Sequence, residues 1–585
     1  MNPRTTAWAA SIQRTDRRAR RWLFREFDPA QADTLAASLE LPAAIAQILS
    51  GRDFCDVASA HDFLSPSLSR LHDPMLLLGM EAAIERLLRA IRARERIEIH
   101  GDYDVDGTTS TVIIKTAIEM AGGQAGFFIP HRIRDGYGIR ESALERAAAN
   151  GVKLIVSVDT GIRAQQAVRR ANQLGMDVIV TDHHLPEDQL PPAVAVINPN
   201  RPGCGYPEKN LCGAGVAFKV AQALLATLGW PRDRFERVLA SFLKMAAIAT
   251  VADVVPLTGE NRVMVYHGLR GLAHVRNPGL RALLDAAGVV AGRAPTAYQV
   301  GFRIAPRINA AGRMASAEEV IELFIGADPG RARTIAERLS LLNSERQEEE
   351  ARVIEEILEQ CEASVNQAGA LVFAGDSWHR GVLGIVASRL VERFCRPCFV
   401  LGSENGETAG SGRSIPGFHL LDSLESMPHL FIKFGGHRQA AGVTMATDNV
   451  AEFRRALAAY ADRVLTPADF EPIQRIDATL VFKQMTEMFW RSLQRLEPFG
   501  MGNPAPVFAA LDVEVVSEPA LMKEKHMKFA AAQDGRVIPF KGFSMSHRIA
   551  EIPRGARIDI AFKMEADDYS GGWSAKVCDF RPHLS

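Results

Sequence analysis

Short apolar runs alternate with stretches of helical spacing between residues 76 and 285. Ile97–Ile99, Leu154–Val158, Val178–Val180 and Ala193–Ile197 each have the length of a strand, and most lead into a polar or acidic loop. That pattern predicts a parallel α/β sheet. Residues 1–75 read as a helical N-terminal segment whose clearest apolar run is Leu39–Leu49. Residues 286–368 read as a connector. Within it, Arg331–Ala368 contains no Gly or Pro and carries Ile335, Leu339, Leu342, Ile354, Ile357 and Leu358 near helical spacing. A continuous helix there would be roughly 50 Å long. Its centre, Glu345–Glu350, is polar all round, as expected of a solvated strut. A second α/β block spans 369–465 and opens with Ala370–Gly375. From residue 470 to 585 the runs Ile476–Phe482, Val513–Val516, Arg557–Phe562 and Trp573–Val577 have strand-like composition with turn signals between them, which predicts a small β-barrel. The fold class is therefore α/β and multi-domain, with a terminal barrel.

The length of 585 residues requires several cores. A hydrophobic content of 47% with 23% charged residues is that of a soluble globular chain, and no apolar run reaches the ~20 residues of a membrane span. Without a hydrophobic signal core the expected location is the cytoplasm. A net charge of −1 excludes a uniformly basic coat, so any nucleic-acid contact must come from local patches. The seven cysteines are scattered, with Cys395 and Cys398 the only close pair. That spacing fits reduced, buried thiols better than a zinc site.

The chemistry begins where Ile97–Ile99 delivers His100, Asp102, Asp104 and Asp106 into one loop, with a helix starting near Thr108. Three carboxylates within five residues repel one another unless a cation compensates. The spacing Asp102-x-Asp104-x-Asp106-Gly107 imitates an EF-hand opening, but the twelfth position is Ile113 and a strand precedes the loop, so a calcium loop is excluded. Asp159-Thr160-Gly161, Asp182-His183-His184 and Asp253 end the following apolar segments. Each alone has a structural reading: Asp159 as a turn cap, Asp182 as a helix cap, a lone histidine as a core residue. Together they bring three histidines and several carboxylates to neighbouring strand ends, enough for two metal ions. Oxygen and imidazole ligands without thiolate suit Mn2+ or Mg2+.

His100-x-x-x-Asp104-x-Asp106, Asp159, Asp182-His183-His184 and Asp253 resemble, in order and local context, the four motifs of the DHH phosphoesterases. The resemblance implies that His100 and Asp104 hold one ion and Asp106, His183 and Asp253 the other, with Asp159 bridging. It implies that His184 touches the scissile phosphate. Asp102 is left open between a catalytic and a supporting role. Phe128–Gly138 with Arg132, and Arg303–Arg313 with Arg307 and Arg313, resemble segments of the RecJ exonuclease branch of that superfamily. Trp378–Arg389, Gly410–Ser414 and Phe434–Gly442 are similar to its DHH-associated domain, where Ser411, Gly412, Arg413, Gly435, Gly436 and His437 are implied to hold a terminal phosphate. Surface ion pairs for the arginines and a tight turn for the glycines are the structural alternatives.

Glu497–Pro504 leads into the predicted barrel as it does in that branch, where the barrel is an OB-fold. Lys523–Phe529 and Phe540–Phe543 interleave basic and aromatic residues. They would suit stacked single-stranded bases, or fill the barrel interior.

The implied activity is metal-dependent hydrolysis of single-stranded DNA from its 5′ end, releasing 5′-mononucleotides in recombination and repair. The implied partners are a RecQ-type helicase and single-strand-binding protein, with the enzyme itself a monomer. Two rivals stand beside it. One is a DHH phosphoesterase of short oligonucleotides or cyclic dinucleotides, which would need neither barrel nor N-terminal extension. The other is a silent replication-fork scaffold, which could dispense with the metal ligands that are all in place here.

Overall fold

A computed structural model describes residues 20–132, 134–361, 368–567 and 571–584. The chain divides into two compact units. The first comprises Asp62–Glu345 together with Leu496–Pro504, and the second comprises residues 20–61, 346–495 and 505–584.

The first unit is built on a five-stranded sheet in the order Ala125–Phe128, Arg96–His100, Val152–Val158, Asp177–Thr181, Ala195–Ile197. Every pairing in it is parallel. The central strand Val152–Val158 is buried at six of its seven positions, the continuous apolar run expected of a strand covered on both faces. Ala125–Phe128 was not apparent in the sequence as a strand: only four residues long, it has Gly126 exposed and its two phenylalanines half-buried. His100, Asp159 and Asp182 leave the carboxyl ends of three adjacent strands, where open α/β sheets place their ligands.

Lys219 and Glu260 form an ion pair of 2.8 Å, with both side chains fully buried in this unit. Glu260 also accepts from the Tyr206 hydroxyl at 2.6 Å and from the His72 backbone at 3.0 Å. Leu496–Pro504 folds back onto the same unit. The buried Arg262 guanidinium donates to the carbonyls of Phe63, Leu496 and Glu497, and the Leu257 amide donates to Met501.

The helix Pro329–Cys361 starts on a sharp signal, Asp328 capping Gly330 and Arg331 with Pro329 at the first helical position. The expected continuation through residues 362–367 lies outside the described residues. Its centre is not solvated all round. Glu350 is buried and pairs with Arg346 at 2.9 Å, while Glu349 accepts from the His379 backbone and Glu356 from the Trp378 indole. One face of the polar centre thus satisfies the second α/β block, while Glu345 and Glu348 face water.

In the second unit a mixed sheet runs Lys433–Gly436, Ala440–Ala446, Glu407–Arg413, Cys398–Glu404, Leu371–Asp376, with only the last pair parallel. The barrel closes through five strands: Phe508–Val515, Arg557–Ala566, Trp573–Pro582, Arg536–Gly542 and His526–Gln533, the last returning to the first. Phe529 and Phe540 stack inside it with Phe508 and Phe562, so the core reading holds for those two rings, whereas Phe543 is exposed. The N-terminal segment is not purely helical. Arg21–Phe24 is a strand parallel to Ile473–Ile476, and the Trp22 indole donates to Asp579 at 2.8 Å. Residues 1–19 of that segment lie outside the described residues. Among the described residues no cysteine forms a disulfide, and none joins a group placed to hold a metal.

Candidate metal centre

Strand Arg96–His100 ends on His100, and the chain passes through Asp102 and Asp104 into the helix Val105–Met120. The helix begins three residues before the expected start because the Asp104 carboxylate caps it, accepting from the Gly107 amide at 3.0 Å. Asp106 therefore lies in its first turn. Its two oxygens accept from the amides of Gly213 at 2.6 Å and Ala214 at 2.7 Å, the first residues of the helix Gly213–Ala226. Two helix N-termini thus converge on one carboxylate, which both favour. A Cβ on Gly213 would come within 2.6 Å of the Asp159 side chain and 2.9 Å of Asp106, so only glycine permits this approach.

Asp159 follows Val158 with φ +57°, a left-handed conformation that turns its carboxylate toward the loop of Asp106. His183 Nε2 faces three carboxylates: Asp159 Oδ1 at 3.2 Å, Asp106 Oδ2 at 3.7 Å and Asp253 Oδ2 at 3.8 Å. Asp253 caps the C-terminus of the helix Arg232–Ala252, and the next residue, Val254, sits at φ +59°. A β-branched residue held there is strained, as is common beside functional groups.

Two sets of ligand atoms lie within 4.8 Å of one another: Asp106, His183 and Asp253, and Asp102, Asp104 and Asp159. Asp159 also groups with His183 and His184. The first set brings together the three residues expected for one ion, and Asp159, the expected bridge, falls in the second. In the second set Asp102 stands where the family pattern expects His100. The His100 ring is buried, with Nε2 bonded to Glu98 Oε1 at 2.9 Å and Nδ1 without a hydrogen-bond partner. Asp102 Oδ1 and Asp159 Oδ1 are likewise buried without a hydrogen bond, although His183 Nε2 lies 3.2 Å from the latter. Orphaned buried oxygens cost about 1–3 kcal/mol each, more when charged. These atoms, with oxygen and imidazole donors only, fit hard divalent cations.

The carboxylates register their crowding. Burial, followed by the neighbouring charge of Asp104, pushes Asp102 well up. Burial, followed by Asp106, does the same to Asp159 and raises Asp253 to about 9. Groups whose folded pKa exceeds the unfolded value stabilise fully below the unfolded pKa and lose that contribution as pH rises through the folded one. The metal-free chain is therefore expected to melt at lower temperature as pH climbs from about 4 toward about 9. Saturating Mn2+ should flatten the trend, and Asp253→Asn should weaken it in chelator. Melting curves that do not change with pH in chelator would refute this reading. Asp182 runs the other way: burial raises it, but the His184 hydrogen bond and charge hold it below the usual carboxylate range.

Asp182 belongs to the sequence motif but reads there at most as a helix cap, and the structure gives it contacts beyond that. Its Oδ1 accepts from the amides of His183 and His184 and from His184 Nδ1 at 2.7 Å, while Oδ2 accepts from the Ile162 amide. Burial opposes charge on His184, yet the Asp182 bond and charge prevail and raise it. Its ring also approaches the Tyr137 hydroxyl at 3.4 Å. Glu98 was missed as well, although the strand period places residues 98 and 100 on one face.

Among the expected phosphate contacts, Arg132 lies 4.8 Å over the Tyr103 ring. Arg307 and Arg313 share the helix Ala305–Met314, with Arg307 Nε donating to Ser340 Oγ at 3.1 Å. In the second unit Arg413 donates to Ser411 Oγ at 2.7 Å. Ser411 and Gly435 line a cavity of 440 Å³ together with Arg380 and Lys433. Of the glycines, Gly412 is required by the Phe399 ring, 2.5 Å from a would-be Cβ, and Gly436 by the Ala440 carbonyl at 2.4 Å. Only Gly435 faces open space, so only there does the close-approach argument for a ligand survive. His437 is exposed on the turn that follows. Arg380 lies in the Trp378–Arg389 motif but was given no role from the sequence, and Lys433 stands just before the Phe434–Gly442 motif and was not singled out.

The DHH family N-terminal domain matches residues 96–250, the DHHA1 domain residues 366–463 and the RecJ OB domain residues 476–577. The single-stranded-DNA-specific exonuclease RecJ of Bacillus subtilis (strain 168) is 37% identical over 560 residues, covering 94% of this chain and 69% of the relative. That of Escherichia coli (strain K12) is 35% identical over 563 residues, covering 93% and 96%. The crystal structure of RecJ in complex with Mn2+ from Thermus thermophilus is similar, with a TM-score of 0.82 at 30% identity over 97% of this chain and 80% of that one. No helix among the described residues is long and apolar enough to cross a membrane.

Proposed function

The chain belongs to the RecJ family of single-stranded-DNA-specific exonucleases, and from that premise we propose that it removes 5′-mononucleotides successively from the 5′ end. The observation that carries the chemistry is the convergence of Asp106, Asp159, Asp253 and His183 around one point. Bound there, divalent Mn2+ or Mg2+ activates water and neutralises charge on the scissile phosphate. Asp106, His183 and Asp253 form one ligand set and Asp104 with Asp159 the core of the other, to which Asp102 and His100 contribute. Asp182 holds the Nδ1 proton of His184, so that Nε2 is turned out to donate to a non-bridging phosphate oxygen. Arg132, Arg307 and Arg313 offset the charge of the strand entering the site.

Polarity is assigned to the second unit. Ser411, Arg413 and the open face of Gly435, with His437, Arg380 and Lys433, suit a terminal phosphate carrying two charges. In this role the substrate is a strand freed by an unwinding partner, in DNA recombination and repair. A 3′-labelled, 5′-phosphorylated oligonucleotide is expected to shorten progressively with Mn2+, while a 5′-labelled duplicate loses its label at once. Arg413→Ala should raise KM roughly tenfold for the 5′-phosphorylated strand and little for a 5′-hydroxyl strand. Loss of label from the 3′ end first would overturn the assigned polarity.

A further inference from the structure

Two aromatic rings stand in solvent on the first unit. Tyr298 and Phe302 are each 64% exposed, yet they stack with ring centroids 4.6 Å apart and 28° between their planes. They lie four residues apart on a segment that passes from the short helix Ala297–Gln299 into the π-helical turn Val300–Ile304. Thr296 and Gln299 cap its start reciprocally, which fixes the backbone beneath the pair. Apolar surface presented in this way adds nothing to a core and marks a contact site. A π-turn inside a helical run is a frequent companion of function.

The segment is mounted on the metal centre from two sides. It continues into the helix Ala305–Met314, where Asn309 Oδ1 accepts from the Val105 amide at 3.1 Å. Gly312 presses so closely on Tyr103 that a Cβ would meet its carbonyl at 2.2 Å. Gly301 lies against Val251, in the last turn of the helix that Asp253 ends. By helical rise, Phe302 and Tyr298 stand roughly 10 and 17 Å along the axis from Asn309. For a strand whose bases stay stacked, at about 3.4 Å per step, that is roughly three to five nucleotides. Along the chain the charge on either side of the rings is of one sign: residues 286–317 contain four arginines, at 293, 303, 307 and 313, and no Asp or Glu. Arg303 is exposed beside Phe302 in the sequence.

We propose that Tyr298 and Phe302 form a base-stacking platform that grips the single strand about three to five nucleotides from the bond being cut, with the neighbouring arginines on its phosphates. The occupant is a polyanion with flat faces, because an acid-free, arginine-containing stretch of chain carrying open aromatic rings complements that chemistry. Stacking on these rings is indifferent to sequence, as a general exonuclease requires. The proposal deepens the exonuclease reading and rests on it.

The test is a Tyr298→Ser/Phe302→Ser double variant of the full chain, assayed on a 20-nucleotide strand with Mn2+. KM is expected to rise about 10- to 100-fold, at least ten times more than kcat falls. Phe302→Trp with Tyr298 retained should keep the wild-type KM. A melting temperature and Mn2+ affinity matching the wild type report the fold. In the wild type, with Ca2+ in place of Mn2+, an oligonucleotide carrying one photoreactive uracil should crosslink to this segment only when the uracil lies about three to five positions from the 5′ end. An unchanged KM in the folded double variant, or crosslinks that avoid residues 297–303, would overturn the platform, and recruitment of a protein partner would become the reading. Failure of the exonuclease reading is visible separately, as a wild type that binds the strand and crosslinks without digesting it from the 5′ end.

Discussion

Asp159→Ala is expected to reduce digestion of single-stranded DNA by on the order of 10³-fold or more, with strand binding retained. In the proposed assignment Asp159 is the bridging carboxylate: it stands 3.2 Å from His183 Nε2 and groups with Asp102 and Asp104. Its loss empties a position in both sets, whereas loss of Asp253 empties one. Quantitative Mn2+ titration should therefore show weakening at both sites for Asp159→Ala and at one for Asp253→Ala. Gly213→Ala is expected to imitate Asp159→Ala without removing any ligand, since the added methyl would meet Asp159 at 2.6 Å and Asp106 at 2.9 Å. Asp182→Asn should be milder, about 10- to 100-fold, because it leaves the ligands in place and frees the His184 ring. Near-normal turnover by Asp159→Ala at saturating Mn2+ would remove Asp159 from the bridging position.

The largest expected effect on stability lies away from the metal centre. Lys219→Met should destabilise the first unit by about 3–5 kcal/mol, read as a shift in its urea midpoint. The change leaves Glu260 charged, fully buried and short of one of its three partners. Burial pulls the Lys219 ammonium below its usual pKa, and Glu260 opposes that pull. Pairing the change with Glu260→Gln should recover more than half of the loss, because the neutral amide leaves no stranded charge: its oxygen can accept from the His72 amide while its NH2 donates to the Tyr206 hydroxyl oxygen. If the double variant is as unstable as the single, the loss arises from packing around the lysine stem and not from a stranded charge.

The metal loops could be read in the sequence because the strand-end motifs follow apolar runs. Val156–Val158 leading to Asp159, and Val178–Val180 leading to Asp182, are strands whose ends fall where open sheets keep their chemistry. The division of labour among the ligands was less visible. Asp102 and His100 sit two residues apart in one loop, and spacing alone does not say which of them turns toward Asp159. The role of Asp182 was hidden because a capping aspartate and one that orients a histidine look identical until its second acceptor contact is known. Arg21–Phe24 escaped notice because its partner strand, Ile473–Ile476, lies near the far end of the chain and no alternation distinguishes it from its surroundings. The barrel aromatics show the converse. Phe529 and Phe540 share a face with alternating polar neighbours, and that pattern is the same whether the face looks into the barrel or out of it.

Leu496–Pro504 belongs to the first unit, although the chain on both of its sides belongs to the second. During synthesis, therefore, the first unit is not complete when Glu345 leaves the ribosome. Phe63 is available early to the Arg262 guanidinium, but the Leu496 and Glu497 carbonyls arrive only after the whole intervening stretch has been made. Domains commonly mature in order from the N-terminus as they emerge. Here the nascent first unit must wait with two carbonyl positions unfilled around a buried cation. A gene truncated before Leu496 would leave it permanently in that condition, so a minimal fragment has to carry Leu496–Pro504, fused or supplied as a separate peptide.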